Sequence, residues 1–174
     1  MKKMLWLTPA LLLASCAPSV TGGGAGQPQV MATPMTAIVI HPGETKYVQF
    51  NYSRNVVNVN EKYFNDLKVD FADVSGSNVS SPRAYAPWLK MTVKDTLPKG
   101  VNLALNSAYI VKDIRNTDNG DFKTTVSYYE VVRVILKVTA DADATLGRDM
   151  VDVEYTDGNT PSTVPVVIDV QPKN

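Results

Sequence analysis

Residues 126–139 read VSYYEVVRVILKVT, and their spacing decides the fold class. Val126, Tyr128, Val132, Val134, Leu136 and Val138 share one parity, while Ser127, Arg133, Lys137 and Thr139 share the other. A period of two belongs to a strand with one buried face, because successive side chains point to opposite sides. Val131 and Ile135 are apolar residues on the polar parity, and Glu130 interrupts the run, which predicts a bend or bulge near it. Just upstream, Tyr109 to Arg115 and Phe122 to Tyr128 flank Asn116-Thr117-Asp118-Asn119-Gly120-Asp121. Asn-Gly between strand-like arms is a hairpin signal, since both residues tolerate positive φ.

The same alternation recurs on either side. Ala37 to Ile40 is a short apolar run stopped by His41-Pro42-Gly43-Glu44, and Val48, Phe50 and Tyr52 then alternate with Gln49 and Asn51. Val57 and Val59, then Leu67, Val69 and Phe71, predict two short strands around a polar connection at Asn60-Glu61-Lys62, where a single helical turn over 61–67 is the alternative. Residues 75–87 are dense in Ser, Gly, Asn and Pro and read as a loop. Trp88 to Val93, Val151 to Tyr155 and Val164 to Val170 are further strands, and Pro165 favours an edge position for the last. Eight or nine strands, punctuated by turns about every 8–12 residues in the second half, define an all-β sandwich or barrel.

Composition narrows the class of protein. Met1-Lys2-Lys3, the apolar run from Met4 and the small residues Ala14 and Ser15 have the layout of a secretory signal. Met4 to Ser15 contains Pro9 and falls short of the roughly 20 residues of a membrane-spanning helix. Loss of residues 1–15 would remove Lys2 and Lys3 from the 17 basic residues, leaving 15 against 17 acidic. Such a balance offers no attraction for nucleic acid. Cys16 is the only cysteine, so no intramolecular disulfide can form. Residues 16–34, reading CAPSVTGGGAGQPQVMATP, carry no charge and are rich in Gly, Ala, Ser, Thr and Pro, the composition of a flexible linker. The folded domain is expected over 35–171.

Leu13-Ala14-Ser15-Cys16 resembles the bacterial lipoprotein signal, an aliphatic residue and two small residues before cysteine. The resemblance implies cleavage before Cys16 and acylation, palmitate included, of its thiol and new amino group. It also implies a cell-envelope location. Ala17 stands where an Asp would signal inner-membrane retention, so the outer membrane is implied in an organism that has one. A second resemblance covers residues 35–170. Pro42-Gly43-Glu44-Thr45, Leu97-Pro98-Lys99-Gly100-Val101, Leu136 to Gly147 and Asp157-Gly158 are similar to the turn frame of bacterial immunoglobulin-like domains that accompany sugar-binding modules in secreted glycosidases. It departs at Gly147-Arg148-Asp149, where an aromatic residue usually follows the glycine. The hairpin from Tyr109 to Tyr128 looks like an insertion in that pattern. This second resemblance implies an immunoglobulin-like sandwich serving as a spacer or binding module.

Residues with catalytic chemistry are sparse. His41 is the only histidine and lies beside a turn, so neither a multi-histidine metal site nor a serine–histidine pair away from it can be built. The carboxylate pairs Asp141/Asp143 and Asp152/Glu154 read as solvated turn and strand charges, and Gly22-Gly23-Gly24 lacks the Lys and Ser/Thr of a phosphate loop. Asp118, Asn119 and Asp121 in one loop, with Asp141 and Asp143 in another, are possible calcium ligands, although neither follows the spaced calcium-loop pattern. No cofactor is expected. Among the aromatics, Trp88 is favoured as a core residue. Tyr128 and Tyr129, neighbours facing opposite ways, and Tyr85 beside a Pro-rich loop are the candidate binding residues. The expected protein is a non-catalytic, lipid-anchored envelope subunit that docks to another envelope protein. The alternative is a module for envelope glycan, which would present a coplanar aromatic platform.

Overall fold

The computed structural model describes residues 29–32, 35–69, 81–118 and 124–173. Within them the alternating stretches become strands of two facing sheets. One sheet has the order β1-β3-β7-β6-β4, with β1 at Gln29–Ala32, β3 at Thr45–Ser53, β4 at Arg83–Tyr85, β6 at Val101–Asp118 and β7 at Thr124–Ala140. The other has the order β2-β9-β8-β5, with β2 at Ile38–Ile40, β5 at Lys90–Val93, β8 at Gly147–Thr156 and β9 at Ser162–Val170. Strands β3, β7 and β6 take the places of B, E and D in an immunoglobulin domain, and β5, β8 and β9 those of C, F and G. The fold is therefore an immunoglobulin-like β-sandwich.

The parity of residues 126–139 explains how the sheets meet. Val132, Val134, Leu136 and Val138 are buried, together with Val48, Phe50 and Tyr52 of β3. Val151, Val153, Tyr155, Val164, Val166 and Ile168 bury the facing side of the second sheet. Tyr52 stacks on Phe50 and meets Tyr155 with ring centroids 5.8 Å apart. That contact joins strands B and F, where antibody domains place their inter-sheet disulfide. Two turns set the chain's passage between sheets. In His41–Glu44 the Glu44 N–H donates to His41 O, and Gly43 supplies the φ of +76°. In Pro98–Val101 the Val101 N–H donates to Pro98 O, and Gly100 has the φ of +76°.

Several expectations change. Gln29–Ala32, inside the segment read as linker, pair in parallel with Tyr47–Phe50 as an edge strand. Within the expected loop, Arg83–Tyr85 form the short edge strand β4 against Tyr109–Val111. Val57 and Val59 are buried, as a strand face would be, but they sit in turns, because Val56 and Val59 N–H groups bond back to Ser53 and Arg54 carbonyls. A single helical turn, α1 (Lys62–Asn65), follows and buries Phe64 completely. Leu67 to Val69 is not a strand, and Asp70 and Phe71 lie outside the described residues. Pro165 is in β9, an interior strand, yet β2 pairs only with Ile168–Val170. Asp152, opposite Pro165, directs its own N–H and C=O toward Asp95 and Lys94 on the other side. Pro165 thus lacks a donor only where no described strand would receive one.

The bulge lies on β6 rather than at Glu130. The register shifts between Leu105 and Ser107, and Glu130 faces Lys112 in an unbroken ladder. The expected hairpin is built on the fold's own strands. Strands β6 and β7 run on continuously, so it is the far end of the D–E pair. The tip, including Asn119-Gly120, lies outside the described residues.

Candidate functional site

The most distinctive surface arises where neighbouring strands end at different heights. β3 stops at Ser53, opposite Val131, and β4 begins opposite Val111. Among the described residues, β6 and β7 form a ladder only with each other beyond that level, through seven rungs from Lys112↔Glu130 to Asp118↔Thr124. At about 3.3 Å per residue this arm runs roughly 20 Å past the last described rungs of β3 and β4. Its base is braced on both edges. Arg54 forms ion pairs with Glu130 and Glu61, and its N–H donates to Glu130 O. On the other edge, the Lys112 N–H donates to Pro82 O and the Ile114 N–H to Ser81 Oγ.

Strand parity assigns the side chains to faces. Tyr129, Val131 and Arg133 lie on the outer face of the sheet, and Tyr128 lies on the other. One rung across four strands reads Tyr85, Tyr109, Arg133 and Asn51, all on the outer face. Arg133 is half-buried there and donates from Nε to Asn51 Oδ1 at 3.1 Å. Burial, aided by the neighbouring Arg83 cation and opposed by Asp113, lowers the pKa of Arg133. Arg83 lies over the Tyr109 ring at 5.8 Å.

The candidate tyrosines are exposed: Tyr85 by 58%, Tyr129 by 53% and Tyr128 by 44%. Each has a polar or aromatic neighbour. Lys112 Nζ lies 5.2 Å from the Tyr128 ring centre, and the Arg115 guanidinium 4.9 Å from that of Tyr129. Tyr85 meets Tyr109 at 57°. The three are not brought together as one flat platform, since Tyr128 and Tyr129 occupy opposite faces and Tyr85 is tilted against its partner.

A groove of about 780 Å³ fills the notch between the end of β3 and the arm. Asn51, Ser53, Arg54 and Asn55 form one side; Asp113, Arg115, Tyr128, Tyr129 and Glu130 form the other, with Val131 and Arg133 completing the lining. Arg54 is paired with Glu130, and Arg115 with Asp113 at 3.4 Å. Arg133 remains without a carboxylate partner among the described residues. Sequence reasoning treated it as one more polar-face residue. Its parity with Tyr129 was the available signal, but the rung that sets it beside Tyr109 and Asn51 is a matter of register.

The other candidates fall elsewhere. Cys16, Asn119 and Asp121 lie outside the described residues. Asp143 is exposed and ion-paired with Lys99, and the Asp141 N–H donates to Gly100 O. Among the described residues no group of three or more His, Cys, Asp or Glu side chains could hold a metal. His41 closes a turn, with Nδ1 3.0 Å from Gln171 O. Trp88 packs at the margin of the core and stacks on Tyr63, ring centres 3.9 Å apart. Comparison with protein-family models, curated proteins and solved structures finds no match to this chain.

Proposed function

We propose that this chain is a lipid-anchored envelope protein, non-catalytic, whose sandwich docks to another envelope protein through the β6–β7 arm and the groove at its base. Cys16 is the acylated residue in this reading, and the outer membrane is its location in a two-membrane organism. The observation that carries the reading is the arm. Among the described residues, a two-stranded ribbon continues past β3 and β4 for seven rungs and presents tyrosines on both faces, each beside a cation. Aromatic and arginine side chains are the groups that dominate protein interfaces. A glycan module would favour one coplanar aromatic platform, whereas these tyrosines diverge.

Capture of the intact lipoprotein from gently solubilised membranes tests the proposal. Parallel samples carry Cys16→Ser, or an arm shortened by joining Lys112 to Glu130 through Asn-Gly. A stoichiometric protein partner that disappears with the shortened arm is the expected result. Retention on peptidoglycan or envelope polysaccharide, with no protein partner, would replace the docking reading by the glycan one.

A further inference from the structure

We propose that the groove at the base of the arm takes an extended peptide strand bearing a carboxylate, which Arg133 receives. This deepens the docking reading by giving the chemistry of the bound segment. Two features of the groove point to the same occupant.

The first is an open strand edge. The Glu130 carbonyl bonds to Arg54 N–H, on the side where β3 would have continued. Backbone groups in a strand alternate sides, so the N–H and C=O of Tyr128 point along that same edge. Among the described residues no strand pairs with β7 there beyond Ser53↔Val131. An exposed edge of this kind accepts an added strand through main-chain hydrogen bonds.

The second is a cation without an ion pair among the described residues, since Asp113 favours the Arg133 charge only at longer range. Of the three guanidinium groups lining the groove, those of Arg54 and Arg115 are already neutralised by Glu130 and Asp113. Arg133 spends only Nε, on Asn51, and its terminal N–H donors have no carboxylate among the described residues. Being half-buried, it is held in place by its neighbours. A planar fork so placed matches one carboxylate in bidentate fashion. An added strand paired with β7 would carry alternate side chains over the outer face, toward Arg133. Arg83, also without a carboxylate partner among the described residues, adds positive potential nearby.

The test uses the full chain carrying Cys16→Ser, isotopically labelled. The probes are two acetylated heptapeptides alternating Val and Thr, one with a central Glu and the other with Gln. The expected result is movement of the Tyr128, Val131 and Arg133 amide signals, with the Glu peptide binding about tenfold more tightly than the Gln peptide. Arg133→Gln is expected to abolish that preference without weakening the Gln peptide. Arg133→Lys should restore it only in part, because the fork is lost. Unchanged melting of both variants establishes that they fold. Equal affinity for the two peptides, or signals that move away from the groove, overturns the inference. So does binding of oligogalacturonate at Arg133 with no peptide binding, which would assign the site to an acidic glycan. If arm-dependent protein capture persists while neither peptide binds, this inference fails and the docking reading stands.

Discussion

Gly100 has φ of +76°, and a Cβ built on it would lie 2.8 Å from the Ala144 Cα. Both facts oppose any side chain, since left-handed backbone costs a non-glycine residue and the obstacle is main chain rather than a movable tip. Gly100→Ala is expected to lower stability by about 2–4 kcal/mol, as measured by denaturant unfolding. Tyr52 and Tyr155 make a different case. Their hydroxyls are buried and interact with each other electrostatically, yet neither has a hydrogen bond of good geometry. Burial pushes the Tyr52 phenol up to about 12, against a smaller downward pull from Tyr155, and raises Tyr155 well above its usual value. A phenol with a raised folded pKa contributes stability that is complete below the unfolded value near 10 and lost as pH rises through the folded one. For Tyr52 the difference corresponds to about 3 kcal/mol. Thermal melts should therefore fall steeply between pH 10 and 12, and the Tyr52→Phe/Tyr155→Phe double variant should fall less. At neutral pH the double variant should match or exceed the parent, because two poorly satisfied polar groups are removed.

At the scale of elements, residues 54–69 behave as a plug rather than as strands. Val57, Val59, Phe64 and Leu67 enter the core from one end of the sandwich. Polar contacts fasten the segment to the β8–β9 turn. Asn58 Nδ2 donates to Thr160 O, Ser162 Oγ to Val56 O, and the Asn60 N–H to Asp157 Oδ2. Partial burial pushes the Asp157 carboxyl upward, but N–H donors from Asn60 and Asn159 outweigh it and leave the pKa below the usual 3.8. That stability is present above pH 3.8 and is lost as pH falls through the lower folded value. Asp157→Ala is expected to cost about 1–2 kcal/mol at pH 7, and the gap from the parent should narrow below pH 3.8 in acid titration of the melting temperature. The alternation of Val57 and Val59 was legible and correctly marked burial. Their turn was not, because the bonds that close it use backbone groups that any residue supplies.

For the whole molecule, the arm is expected to be dispensable to folding. Its anchors, Arg54–Glu130 and the bonds to Pro82 and Ser81, lie at its base, and the tyrosines beyond are exposed. Joining Lys112 to Glu130 through Asn-Gly should change the melting temperature by no more than about 4 °C, the equivalent of about 1 kcal/mol in a domain of this size. A much larger fall in calorimetry would mean that the arm packs on the sandwich instead of projecting from it.

Periodicity and turn chemistry carried the fold. Alternation across Val132 to Val138, Val48 to Tyr52 and Val151 to Tyr155 determined the strands and their buried faces. Pro42-Gly43 and Lys99-Gly100 determined two of the turns, since few residues other than glycine accept that backbone. These are local properties, written in neighbouring residues. Tertiary structure alone decided strand order, the edge strands β1 and β4, and the bulge opposite the run where it was expected. It alone also decided the rung that aligns Tyr85, Tyr109, Arg133 and Asn51. The reason is physical: pairing partners and strand heights depend on how distant segments share one core. The groove exists only because β3 ends where β7 continues, and no single stretch of sequence contains that difference.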